Sequence, residues 1–184
     1  MKYKSLIASF LLLAGLLLSP TLANAEIILK STDIAQGKTL SNAQVFDGFG
    51  CTGENKSPEL SWSGLPKGTK SLAITMYDPD APTGSGWWHW VAFNIPANVT
   101  NIASGESKNS MPEGTVESRT DFGSVGYGGA CPPEGDAPHH YEVTLYALDV
   151  EKLDLDENAS GAMVGYYLNA HSIEKATITA VFSR

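Results

Sequence analysis

Two cysteines and four histidines in 184 residues leave little material for a metal centre, and no Cys-x-x-Cys or His-x-x-x-His pair occurs among them. Neither a metal site nor a bound cofactor is therefore expected. Basic residues are scarce as well, 12 Lys and Arg against 20 Asp and Glu. That balance offers no continuous basic stripe, which excludes nucleic acid as a partner. No serine or cysteine stands in a nucleophile motif, and no internal repeat or low-complexity linker divides the chain. The one sustained apolar run, residues 6–18, is shorter than the about 20 residues a bilayer-spanning helix needs.

That run has a different reading from its flanks. It follows Met1-Lys2-Tyr3-Lys4 and precedes Ser19-Pro20 and Ala23-Asn24-Ala25. A basic start, a short apolar stretch and an Ala-x-Ala end are the parts of a secretory signal peptide. Residues 1–25 are thus expected to be removed, leaving residues 26–184 as one domain, periplasmic or secreted, without a transmembrane anchor. Cleavage takes Lys2 and Lys4 and no acid, so ten basic residues face twenty acidic ones, and any anion site must be local. Export also puts Cys51 and Cys131 where a disulfide persists; the alternative is two unpaired thiols.

Glycine and proline recur at short intervals, as in a mainly β domain with many turns. Strands are expected at 71–77, 89–95, 141–148 and 176–182, with a weaker one at 26–31. In the third, Tyr141, Val143, Leu145 and Ala147 share one face, and Glu142 and Thr144 share a wetter one. One helix is expected, with Ser160 as N-cap, an apolar surface from Ala162, Met163, Val164, Tyr166, Tyr167 and Leu168, and an end at Asn169. The polar stretch 98–119 reads as a long surface connection.

Three segments carry chemistry. Tyr77-Asp78-Pro79-Asp80-Ala81-Pro82 follows a strand, and its prolines hold both carboxylates in a reproducible geometry, though most Asp-Pro-Asp turns only end strands. In Gly86-Trp87-Trp88-His89-Trp90, strand alternation puts Trp88 and Trp90 on one face and Trp87 and His89 on the other, so Trp87 would wall a pocket beside the histidine. The third is Gly126-Tyr127-Gly128-Gly129-Ala130-Cys131-Pro132-Pro133, whose glycines would let backbone N–H groups form an anion nest. It is followed by His139-His140-Tyr141, with His139 and Tyr141 to one side and His140 toward solvent.

In this order and spacing, together with residues 50–62 and 160–167, these segments resemble the phosphatidylethanolamine-binding protein family, also called Raf kinase inhibitor proteins, and within it the bacterial YbhB/YbcL-like branch. The resemblance covers nearly all of residues 26–184. It implies a mainly β fold, with a large central sheet packed on a smaller second sheet, and a pocket for a small anion. By motif that pocket is lined by Asp78, Asp80, His89, Cys131, Pro132, Pro133, His139 and Tyr141. Cys131 stands where other members often carry glycine, and a bridge there would tether the pocket loop. Animal members continue past the last strand into a helical segment over the pocket, whereas this chain stops at Arg184, which implies a more open mouth.

Carboxylates cannot themselves hold an anion, so Asp78 and Asp80 are expected to orient His89 and His139, whose protonated rings would bind it with loop N–H groups and Tyr141. A free Asp oxygen and the Trp87 face would receive the ammonium of a zwitterionic headgroup. The function so implied is a non-enzymatic binding protein for phosphate, a phosphorylated headgroup or a carboxylate, free or borne by a partner protein that it modulates. Kinase inhibition is not carried over from eukaryotic relatives. The alternative is a hydrolase using the same Asp and His residues. Nothing in the sequence decides between a monomer and a homodimer.

Overall fold

The computed structural model describes residues 26–184, so the signal-peptide reading of residues 1–25 lies outside the described residues. In chain order the strands are β1 (Ile28–Lys30), β2 (Asp47–Gly48), β3 (Cys51–Thr52), β4 (Leu60–Ser63), β5 (Ser71–Asp78), β6 (Trp87–Pro96), β7 (Asn101–Ile102), β8 (Val116–Glu117) and β9 (His139–Leu148). Helix α1 (Gly161–His171) then leads directly into β10 (Ser172–Phe182). A short 3-10 turn, Asn42–Gln44, precedes β2.

Strand β5 reads Ser-Leu-Ala-Ile-Thr-Met-Tyr-Asp, a run without polar alternation that suits a strand covered on both faces. It is the middle strand of an antiparallel sheet ordered β10-β9-β5-β6-β8. One face of that sheet packs on the smaller sheet β1-β4-β7: Leu72, Ile74, Met76, Val143 and Leu145 meet Leu60, Trp62 and Ile102. Each fully buried aliphatic side chain in this layer contributes roughly 1.5–3 kcal/mol. The opposite face, with Ala73, Val91 and Phe93, is covered by Val164 and Leu168 of α1. The fold is therefore mainly β, a large sheet on a smaller one, with a single α-helix among the described residues.

Four local expectations change. Ser160 does cap α1, its hydroxyl accepting from Met163 N at 3.2 Å, but the helix passes Asn169 and ends at His171. It buries a narrow stripe, Gly161, Val164 and Leu168, and leaves Met163 and Tyr166 largely exposed, because one helix face alone meets the sheet. Trp88 lies flat on that stripe: a Cβ on Gly161 would come within 2.3 Å of its ring, so a side chain there is excluded. The stretch 98–119 is not only a surface connection, since it supplies β7 and β8, buries Ile102 in the core and turns Glu117 inward onto Trp90 Nε1 at 2.7 Å. Two-residue strands are too short to show periodicity. Finally, Thr144 is buried, not wet, because its hydroxyl meets that of Thr177 on β10 at 2.8 Å.

Strand β6 departs from simple alternation. Trp90 pairs with Met76 and Trp88 with Tyr77, so His89 stands opposite no residue of β5 and forms a β-bulge. Trp88 consequently joins the helix side of the sheet while Trp90 enters the main core, which splits the two tryptophans expected on one face. A second irregularity falls at Asn94, whose φ is +59° and whose side-chain amide bonds the backbone of Leu153 in both directions.

Candidate ligand-binding site

The bulge turns His89 toward the end of the sheet. Its Nδ1–H donates to the carbonyls of Gly128 at 2.9 Å and Gly129 at 3.1 Å, which fixes the tautomer and leaves Nε2 without a partner among the described residues. Burial pushes the imidazole below its ordinary pKa of 6.5, against the opposing pull of the Gly128 carbonyl and the Asp78 charge. At neutral pH the ring is thus uncharged, with Nε2 an acceptor. Burial thus outweighs the Asp78 carboxylate, which was expected to favour the charged form of this ring.

The glycine run does not form an anion nest. Gly128 N donates to His89 O at 2.8 Å, Gly129 N to Asn55 Oδ1 at 2.7 Å and Ala130 N to Gln44 O at 3.1 Å, so these donors are spent within the protein. The carbonyls orient His89 instead. Gly128 serves close packing, since a Cβ there would lie 2.5 Å from the Phe122 ring.

Asp78, at the end of β5, is almost wholly buried. Its Oδ2 accepts from His139 Nδ1 at 2.8 Å and its Oδ1 from the Asp80 N–H at 2.9 Å. Each oxygen thus already accepts one bond within the protein, and an ammonium would have to share them. The carboxylate instead sets the tautomer of His139, whose Nε2 lies 3.5 Å from Asp136 Oδ2. Asp80 goes elsewhere. The Asx turn made by Asp78 sends it outward, where Oδ2 accepts from both His140 N and His140 Nδ1 at 2.7 Å. Those bonds hold the Asp80 carboxyl below its usual range, and the pair is solvent-exposed.

Between these groups opens a cavity of about 210 Å³. Seven of the nine residues expected there line it: Asp78, Trp87, His89, Cys131, Pro132, Pro133 and His139. Asp80 does not, for the reason just given. Nor does Tyr141, which is fully buried behind the site with its ring edge-on to His89 at 5.2 Å. Its hydroxyl has no hydrogen-bond partner among the described residues, and burial drives its pKa far upward, so it stays neutral. The remaining lining comes from Ala81, Pro82, Thr83, Phe49 and Phe122.

Phe49 and Phe122 are the residues that sequence reasoning missed. Each is a lone aromatic beside glycine, in Gly48-Phe49-Gly50 and Phe122-Gly123, outside any strand. A large apolar ring that no core periodicity claims was the available signal.

The wall that carries Phe49 is held covalently. Cys51 and Cys131 are bridged, with a Cα–Cα distance of 6.0 Å across 80 residues of sequence. Arg184 closes the same wall, donating through Nε to Pro132 O at 2.6 Å and through Nη2 to Phe49 O at 3.4 Å. Such a bridge fits a non-cytoplasmic location. No helix among the described residues is long and apolar enough to cross a membrane. Among the described residues no lysine or arginine lines the cavity.

Comparison with known proteins places this arrangement. The family model described as phosphatidylethanolamine-binding protein matches residues 30–183. The UPF0098 protein YbcL of Escherichia coli is 56% identical over 155 residues, 83% of this chain and 85% of that one. The UPF0098 protein YbhB of the same organism is 51% identical over 155 residues, 83% and 98% of the respective chains. The crystal structure of E. coli YbcL, described as a member of the mammalian PEBP family, superposes with a TM-score of 0.85 at 53% identity, covering 87% of this chain and 99% of that one. The chain accordingly belongs to the phosphatidylethanolamine-binding protein family and is a binding protein of the UPF0098 type.

Proposed function

We propose that this is an exported binding protein that takes a small phosphate- or carboxylate-type anion into the cavity above His89 and His139, together with one proton, and does no chemistry on it. The observation that carries the reading is His89: a buried imidazole whose Nδ1–H is spent on two backbone carbonyls, with Nε2 unpartnered and no lysine or arginine in the cavity lining among the described residues; burial also lowers its pKa and so favours the neutral ring. Among the described residues no lysine or arginine is placed there to hold an anion by a permanent charge. Either the ligand brings a proton on an acidic oxygen and donates it to Nε2, or the ring takes one up as the anion arrives. The first route selects the protonated form of the ligand and the second takes a proton from solvent, so on either route affinity falls once pH rises past the pKa of the group that carries the proton.

A binding role is also supported by the shortage of nucleophiles. Cys131 is bridged, and the one lining hydroxyl, on Thr83, donates to Gly86 O. Export is inferred from the signal-peptide pattern of residues 1–25 and from the disulfide. The same chemistry admits a free anion or one displayed by a partner protein.

Titration calorimetry with sulfate, a phosphate mimic that does not itself titrate near neutrality, tests the reading. Binding is expected to be stronger at about pH 6 than at about pH 8, with heats in buffers of different ionisation enthalpy reporting uptake of close to one proton. Equal affinity at both values with no proton uptake would overturn it, as would failure of both sulfate and phosphate to bind.

A further inference from the structure

Resting on the anion-site reading above, we infer that the ligand of this cavity carries an aromatic ring beside its anionic group. Apart from the Thr83 hydroxyl, which donates to Gly86 O, and the Trp87 indole N–H, the polar side-chain groups of the cavity are the His89, His139 and Asp78 cluster, whereas the walls are the rings of Phe49, Phe122 and Trp87 with neighbouring prolines. A bare phosphate or sulfate would satisfy the histidines and leave that apolar wall facing water. A ligand with an apolar body removes both surfaces from water together.

The rings themselves point to an aromatic body. Phe122 stacks on Phe46 at 4.3 Å and meets Trp87 edge-on at 5.3 Å, while Phe49 leans on Phe122 at 5.7 Å. The edges and faces at the mouth are thus already arranged in the tilted and T-shaped geometries that aromatic pairs prefer. Phe49 is 68% exposed, second only to Tyr166 among the large hydrophobic side chains of the described residues. It is nevertheless held in place. Its φ is +52°, a conformation a bulky residue rarely adopts, its carbonyl is bound by Arg184, and bridged Cys51 lies two residues on. A ring fixed in water at the mouth of an apolar cavity is placed to be covered by a ligand.

Size sets the rest. An engineered cavity of about 150 Å³ accepts benzene, so about 210 Å³ takes one ring and a small head and excludes a much larger body. The excess of acid over base in the chain disfavours an anionic lipid surface as the source of that body.

The test compares methyl, cyclohexyl and phenyl phosphate by calorimetry at one pH. Phenyl phosphate is expected to bind about tenfold or more tightly than methyl phosphate and more tightly than cyclohexyl phosphate. In Phe49→Ala the phenyl-to-methyl ratio should fall toward unity, and in Phe49→Leu, which keeps apolar bulk without a ring, the phenyl-to-cyclohexyl preference should disappear. Methyl phosphate that binds as well as phenyl phosphate overturns the inference and leaves the anion site standing. Cyclohexyl phosphate that matches phenyl phosphate also overturns it. If none of the three esters binds, the anion-site reading itself fails.

Discussion

Replacing His89 with asparagine is expected to lower sulfate and phosphate affinity by about ten- to a hundredfold, the range set by loss of one charge-assisted hydrogen bond. Asparagine is the informative choice because its amide N–H can take the place of Nδ1–H against the Gly128 and Gly129 carbonyls, which alanine would leave unpaired in a buried position. What the substitution removes is Nε2 and its proton. Calorimetry should therefore show the loss of affinity and of the pH dependence together, while the melting temperature changes little at neutral pH.

Thermal stability supplies an independent reading of the same group. The folded pKa of His89 is depressed by burial, so the unfolded chain takes up the proton first as pH falls. In the free protein its contribution is complete above the ordinary value of 6.5 and is lost as pH drops toward the folded value. A bound anion reverses the sign, because it favours the protonated ring. Stabilisation by sulfate should then grow as the medium is acidified, and His89→Asn should erase both slopes.

Removing the disulfide is expected to have the largest effect on stability. The bridge closes a loop of 80 residues, which the chain-entropy relation equates with about 4.5 kcal/mol. For a chain of this length that corresponds to a fall of about 10–15 °C in Tm, checked by calorimetry of the Cys51→Ser, Cys131→Ser double variant or of the reduced protein. The consequence for the site is local as well as global. β2 and β3 pair over only two residues each, too few to hold Phe49 against the cavity once the covalent tie is gone.

The large sheet was legible because its four main strands are long and apolar, whereas β4 and β7 of the smaller sheet, four and two residues long, are too short to announce themselves. Strand β5 carries six consecutive buried residues, and β9 places Tyr141, Val143, Leu145 and Ala147 at every second position on its buried face, so pattern alone locates them. The site was legible to the extent that its residues leave such strands: Asp78, His89 and His139 all stand at or near strand ends. What sequence could not supply is pairing register. The bulge at His89 exists only through the way β6 meets β5, and it decides where three neighbouring aromatic side chains go.

Asp80 and the glycine run show a second limit. Asp78 and Asp80 look equivalent on the page, yet the Asx turn at Asp78 separates a buried carboxylate from an exposed one paired with His140. Glycines expected to present N–H groups to a ligand present carbonyls to a histidine, because those N–H groups are claimed by Asn55, Gln44 and the His89 backbone. Hydrogen-bond accounting of this kind needs the partner's position.

The most direct measurement is the protonation state of the His89 imidazole by nuclear magnetic resonance, followed with and without saturating sulfate at neutral pH. The expected result is a neutral ring protonated at Nδ1 in the free protein and a ring protonated at both nitrogens in the sulfate complex. A ring that stays neutral with sulfate bound, or sulfate binding that leaves His89 and its cavity neighbours unperturbed, would contradict the proton-coupled anion site.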